Sequence, residues 1–430
     1  MELTLRTRRV KLIAAVAVML FTGIIYAWSI TKTPFMIISD GVVENNVQLG
    51  LNYTLTIVFF CLGGFAAGMI SKHISAALRL VLSAFLIFAS FFNSSLLMVT
   101  LPYTENYFLL YMAYGMLGGL GIGIAYVTVI SSVNAWYPDK RGFSSGVMMM
   151  GFGVSLLLVG SLVDLLGKSE SVGWQSTYVI IAFTLGIILL LAALVIKPPP
   201  RDAVLPPAMT SKKSKTDEEN TAAEGSPANK AAPANIIREY TALEMIKRPS
   251  FIFTFIYLAI LASSGSAAIG FAKDIVLDVG ASETLAVITV GLLGVSNGLG
   301  RIVCGLLFDN IGIKQTQYIS SAVGILAPLT VVMALAANSA ILGVLGVCLC
   351  GFSYGFAPTT SSVLTSEFFG LRNFPLNFSI MTLILVPAPF AAMLAGNLKA
   401  STGGFMLAFI ILTALTVVGF FVNLAIRKPE

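Results

Sequence analysis

Apolar residues run along this chain in twelve long stretches, broken by short polar connections and by one long polar segment near the middle. The stretches fall near 11–38, 48–70, 75–98, 106–132, 142–166 and 174–196, and then near 249–270, 282–308, 315–337, 340–364, 373–396 and 402–425. A helix rising ~1.5 Å per residue needs about 20 apolar residues to cross a hydrocarbon layer of ~30 Å. Each stretch reaches that length. The pattern therefore predicts an all-α integral membrane protein, with twelve transmembrane helices in two pseudo-symmetric six-helix bundles. Composition agrees: 57% of the 430 residues are hydrophobic and 11% are charged, against about 25% charged in soluble domains. A soluble globule, a disordered chain and a disulfide scaffold are excluded together. The 39 glycines suit close backbone approach between membrane helices.

Charge orients the bundle. Of the 26 basic residues, 21 fall on one side of the predicted membrane, including Arg6, Arg8, Arg9, Lys11, Lys72, Lys140, Arg141, Lys314 and Arg372. Lys32, Lys168, Lys273 and Lys399 fall on the other. The positive-inside rule then puts both termini in the cytoplasm, and a cell membrane, specifically a bacterial inner membrane, is the expected location. The net charge of +6 is absorbed by this topology, so no nucleic-acid partner is implied. The first stretch is too long for a secretory signal, whose apolar core spans ~7 to 15 residues. Cys61, Cys304, Cys348 and Cys350 all lie inside spans, which indicates neither disulfides nor a zinc site.

The polar interruption divides the chain into an N-terminal bundle (1–196), a linker (197–248) and a C-terminal bundle (249–430). The linker opens on Pro198-Pro199-Pro200 and carries 16 charged residues in 52 positions, a composition that cannot build a core. Near its end Ile236, Ile237, Tyr240, Leu243 and Ile246 recur at helical spacing, and Thr241 to Glu244 fits a capping box. A short amphipathic helix near 236–248 on the inner membrane face is expected, with Pro249 setting it apart from helix 7. Residues 203–233 show no apolar periodicity. Replacing them by a Gly/Ser segment of equal length is expected to preserve uptake in proteoliposomes; lost uptake with normal insertion would reveal a role in regulation.

The halves are related by internal repetition. At a shift of 230 residues Gly121 falls on Gly351, and Ser131-Ser132-Val133 falls on Ser361-Ser362-Val363. Arg141-Gly142-Phe143 resembles Arg372-Asn373-Phe374 one residue further offset, and Gly63 and Gly68 match Gly300 and Gly305 at a shift of 237. Repeats in a membrane bundle mark alternating-access transporters, whose substrate sits between the halves near the midplane.

One basic residue belongs to neither face. Arg301 lies eight residues before Asp309 at the helix 8 end, or about 12 Å into the membrane. A guanidinium there costs ~2.5 to 3.5 kcal/mol on insertion scales and needs a partner or a polar cavity. Asn297, four residues earlier, is neutral, and no acid is within reach. An anionic substrate would supply the charge, since the planar fork of arginine matches a carboxylate. The second reading has Arg301 bonding carbonyls or helix ends of the neighbouring half as a gate element. Tyr26 and Trp28 on helix 1, Tyr126 on helix 4 and Tyr354 on helix 10 are candidate cavity walls, because an aromatic with a polar tip can face an aqueous site. Packing with a satisfied hydroxyl is the competing reading for each. Lys32 reads as a snorkelling anchor.

Gly305-Leu-Leu-Phe-Asp309-Asn310-Ile-Gly312 resembles the inner-loop motif Gly-x-x-x-Asp-x-x-Gly of the major facilitator superfamily. The matching N-half loop, Gly68-Met-Ile-Ser-Lys72-His73, has Lys72 where the family has its acid. Gly23-Ile-Ile-Tyr26-Ala-Trp28-Ser29, Pro138-Asp139-Lys140-Arg141-Gly142 and Gly300-Arg301 are similar to the oxalate/formate antiporter family, relatives of the monocarboxylate transporters. The resemblance implies gating roles on the inner loops for Asp309, Arg141 and Arg372, and substrate contacts for Tyr126 and Tyr354. It also sets limits. The second cation that the oxalate transporter carries on helix 11 is missing, with Leu385 near its place, and Asn297 stands where monocarboxylate transporters keep an acid for proton coupling.

Gly351-Phe-Ser353-Tyr-Gly355 satisfies a nucleophile-elbow pattern, but the chain has a single histidine, His73, in an inner loop, and a strand-to-helix turn is missing. Catalysis is not expected, nor is a cofactor or a metal. The expected function is secondary transport of a small organic anion, a monocarboxylate, by exchange or uniport, in a monomer whose partners are that carboxylate and the lipid bilayer. The alternatives are a proton-coupled monocarboxylate symporter and a non-transporting receptor or sensor, which would require an output domain that the linker does not offer.

Overall fold

A computed structural model describes residues 5–39, 42–44, 46–104, 107–200 and 238–429. Twelve helices among them are long and apolar enough to cross a membrane: α1 Leu5–Thr31, α2 Gln48–Ile70, α3 Ala76–Leu101, α4 Tyr107–Asn134, α5 Arg141–Lys168, α6 Gly173–Val195, α7 Pro249–Asp278, α8 Glu283–Ile311, α9 Ile313–Ala337, α10 Ala340–Phe369, α11 Phe374–Thr402 and α12 Met406–Leu424. They form two six-helix bundles. With an even number of spans, both termini share one face, called here the terminal face.

Several boundaries depart from the hydropathy pattern, for local reasons. α1 begins at Leu5 rather than near 11 because its basic first turns have protein partners. Arg8 is buried, paired with Asp139 and seated 4.4 Å from the Tyr137 ring centre; Lys11 donates to the Val195 carbonyl at 2.8 Å. It ends at Thr31 rather than near 38 because Pro34 sits in the next turn, and proline disfavours helix at the residue before it. The chain then forms a small hairpin, β1 Ile37–Ser39 antiparallel to β2 Val42–Glu44, in the loop to α2. α7 continues to Asp278, past a kink at Phe271, and α11 continues to Thr402 past a tight turn at Leu383–Leu385 ahead of Pro387. Hydropathy marks the lipid-embedded part of a helix and not its end. Lys273 on the α7 extension pairs with Glu283 at the start of α8.

Glycine sets how closely the helices approach. A Cβ on Gly63 would run into the backbone of Leu120 on α4, and one on Gly300 would run into Phe352 on α10. These repeat-related glycines therefore make equivalent contacts, α2 on α4 in one half and α8 on α10 in the other. The second repeat-related pair joins the halves: Gly68 lies against Pro375 and Leu376 of α11, and Gly305 against Gly142 of α5. Such contacts suit a bilayer, where packing rather than hydrophobic burial drives helix association. The lipid-facing surface keeps large side chains exposed, among them Phe85, Leu194 and Ile341.

The linker expected from the sequence lies mostly outside the described residues, as do Ile236 and Ile237. Beyond them a short helix spans Ala242–Ile246, and Thr241 and Glu244 form the capping box. Hydrogen bonds from Thr241 hold the Glu244 carboxyl below the usual carboxylate range. Tyr240 precedes this helix and is buried in protein.

Candidate functional site

Arg301 is 1% exposed and sits where α8 crosses α5 of the other half. Its Nε donates to Asn297 Oδ1 at 3.2 Å and its Nη1 donates to the Met149 carbonyl of α5 at 2.8 Å. Nη2 is buried with no hydrogen-bond partner. The guanidinium fits because residue 153 is glycine: a Cβ there would stand 3.3 Å from Nε and 3.2 Å from the Gly298 backbone. No carboxylate partners this cation among the described residues. A buried unpaired charge with one free donor is a strong electrostatic demand for an anion.

Aromatic rings from six helices gather beside it. The Tyr26 and Tyr354 hydroxyls lie 3.2 Å apart, joining α1 to α10 across the two halves. Phe152 of α5 stands edge-on to both Tyr26 and Tyr126, at 5.3 Å from each. Phe60 of α2 and Phe378 of α11 complete the wall around Tyr126, at 5.2 and 6.0 Å. The Arg301 charge acts on both the Tyr126 and the Tyr354 hydroxyl. Trp28 points elsewhere. Its indole donates to the Leu49 carbonyl at 2.9 Å and packs on Tyr114 and Phe35. Lys32, beyond the end of α1, is half-buried, and burial lowers its ammonium pKa.

Phe60, Phe152, Phe378, Tyr53 and the Met149 carbonyl were not singled out from the sequence. Phe152 carried one readable signal, its place between Gly151 and Gly153, which lets neighbouring helices close on either side of the ring. Tyr53 lies near both Tyr26 and Tyr354, yet nothing in its flanking residues distinguishes it.

Toward the terminal face the halves are shut by successive polar layers. Ser145 of α5 and Ser362 of α10 are 2.9 Å apart, and Asn134 donates to both. Beyond them the Gly142–Gly305 contact lets Asp309 accept from the Gly142 and Phe143 amides at 3.0 and 2.7 Å. A carboxylate at a helix N-terminus is favourable, with backbone donors and dipole aligned. Outermost, Arg141 pairs with Glu367 at 2.8 Å. A recess of about 520 Å³ opens between these groups, lined by Asp139, Arg141, Asp309, Lys314 and Glu367. Arg372 is not among the residues lining this recess; its backbone amide donates to Glu239 at 2.9 Å.

Twelve spans in two repeat-related halves, closed at one face around a buried cation, invite comparison with known transporters. The sequence profile of the Major Facilitator Superfamily matches residues 12–386. The chain belongs to that superfamily. It is therefore a membrane transporter rather than an enzyme, and the glycine-flanked Ser353 is a packing feature. Among superfamily relatives it is 23% identical over 386 residues to the uncharacterized transporter YhjX of Escherichia coli (strain K12), covering 88% of this chain and 85% of that one. It is similar to Monocarboxylate transporter 12 of Mus musculus, 23% identical over 70% of this chain and 63% of the relative. An 81-residue segment is 37% identical to the Oxalate:formate antiporter of Oxalobacter formigenes, 19% of each chain. In fold it resembles the proton:xylose symporter XylE, with a TM-score of 0.68 at 14% identity over 98% of this chain and 97% of that structure.

Proposed function

We propose that this protein carries small organic anions, specifically a monocarboxylate, between the two faces of a bacterial inner membrane by alternating access of its two bundles. In this reading it is a monomer with both termini cytoplasmic, and it works by exchange or uniport. The observation that carries the proposal is Arg301, a guanidinium sealed at the junction of the halves with Nη2 unpartnered. A carboxylate is the anion whose geometry matches such a fork. One unpaired cation at this junction favours one carboxylate over two. The similarity to a monocarboxylate transporter and to an oxalate:formate antiporter lends weight to the same chemistry. The test is a thermal-shift and binding screen of the purified protein against small monocarboxylates, dicarboxylates, neutral sugars and cationic drugs. Stabilisation confined to monocarboxylates supports the reading, and stabilisation by sugars or cations alone rejects it.

Asn297 bears on the energy source. It holds Arg301 Nε through a neutral amide, so the position beside the cation carries no titratable group. Asp164 is engaged by Lys168 at 2.7 Å, and Glu283 by Lys273, both at the ends of their spans. Among the described residues no carboxylate lies mid-membrane, and such a carrier lacks the usual proton site. Labelled anion taken up into liposomes is therefore expected to accelerate with internal anion and to respond little to an inward proton gradient. Concentrative uptake into empty vesicles, driven by that gradient, would identify a proton symporter instead.

A further inference from the structure

The two halves treat their equivalent loops differently, and the difference involves the linker. In the N-half the loop before α5 is clasped from across the molecule: Asp309 accepts from Gly142 and Phe143, and Gly142 has no side chain because Gly305 lies against it. In the C-half the equivalent loop, residues 370–373 before α11, has no such clasp from the other bundle among the described residues. The position related to Asp309 by the 237-residue shift is Lys72, a cation exposed to solvent.

The carboxylate comes from the linker instead. Glu239 accepts from the Leu371 and Arg372 amides at 3.1 and 2.9 Å. The next residue is locked as well. Tyr240 donates its amide to the Phe369 carbonyl at 3.1 Å, and its own carbonyl accepts from Asn373 and Asn377, each at 3.0 Å. Its ring is buried against Phe369 and lies beneath the Arg238 and Arg248 guanidinium groups. Two features of the loop match this docking. Gly370 adopts φ +82°, and a Cβ there would overlap the Glu239 carboxylate. Asn373 stands where the N-half has Gly142, so the position that admits a neighbouring helix in one half holds the linker in the other.

We propose that Glu239 is a positioning residue of the transport cycle: it supplies in cis the carboxylate that Lys72 does not, and fixes the 370–373 loop so that α11 can close against α2 on the terminal face. The seat it holds is the one where Gly68 meets Pro375 and Leu376. Because both ends of this brace lie on the C-terminal side, it stays in place as the halves part. Closure then sets two clasps of different kind: Asp309 to α5 releases in each cycle, whereas Glu239 to the α11 loop persists. The inference rests on the alternating-access part of the proposed function.

The test reads closure directly. Ser362→Cys places a thiol at the interface sealed by Ser145, and its labelling by a membrane-impermeant maleimide is followed in vesicles with the terminal face outward, against a parent without that cysteine. Glu239→Ala is expected to speed labelling about five-fold or more, the lower end of ordinary coupling between sites. Glu239→Gln, which keeps an acceptor but loses the charge, falls between. Asn373→Gly, which removes one amide from the Tyr240 carbonyl without touching Glu239, provides a second variant and moves labelling the same way. The Gly/Ser replacement of 203–233 leaves it unchanged. Gly305→Leu separates the two readings. If it exposes Ser362→Cys while Glu239→Ala and Asn373→Gly label at the parent rate, or lower only thermal stability, Glu239 is a structural tie and the proposal fails. If no variant exposes the thiol, alternating access fails first and takes this inference with it.

Discussion

Arg301→Gln is expected to weaken binding of the transported anion by about 30-fold or more, because truncating one partner of a buried charged pair costs about 2 to 5 kcal/mol. Arg301→Lys should recover little, since an ammonium cannot reach the Met149 carbonyl and Asn297 Oδ1 while offering a planar pair of donors to a carboxylate. Stability without ligand should move the other way. Removing an unpaired buried cation relieves a desolvation cost, so the melting temperature of the empty Gln variant should equal or exceed that of the parent. This pairing of readouts distinguishes a ligand residue from a structural one. Binding that survives within a few-fold, together with a destabilised empty protein, would mean that Arg301 serves only to hold the α5 carbonyl as a gate element. Titration of anion-dependent thermal shift in the parent and both variants decides it.

The second large effect is expected at Gly305. A Cβ there would collide with the Gly142 carbonyl oxygen and stand 2.7 Å from its carbonyl carbon, backbone atoms that no rotamer change can move aside. Leucine is a better helix former than glycine by roughly 1 kcal/mol, so Gly305→Leu should still insert and fold. What it should lose is closure. Overlap of about 1 to 3 kcal/mol shifts the balance of closed and open forms some 5- to 150-fold toward open, and Asp309 is drawn off the Gly142 and Phe143 amides. Uptake should fall at least ~10-fold while anion binding persists. Near-normal uptake by a well-inserted Gly305→Leu protein would show that the cycle does not require this contact.

Much of the architecture was written locally. Twelve apolar stretches, the basic bias of one face and the shifted repeats are properties of composition along the chain, and the bilayer acts on composition directly, so the spans and their order followed. The boundaries that moved were those where helix continues beyond the apolar layer, as at Arg8 and Lys273, or stops inside it, as before Pro34. Arg301 was legible for the same reason, as a single cation in an apolar run, and its bond to Asn297 follows from the four-residue spacing of a helix. Its other partner was not. Met149 lies 152 residues away, and these helices are apolar on all sides, so periodicity does not say which face turns inward. Helix rotation decided that Tyr26 meets Tyr354 while Trp28, two residues on, turns to Tyr114. It also decided that Phe152 stands between two tyrosines. The docking of Glu239 on the α11 loop joins residues 132 and 133 positions apart. Sequence fixes what each residue can offer the membrane or a partner; which partner it meets depends on the close approach of glycine-lined helices from distant parts of the chain, and only the folded bundle sets that.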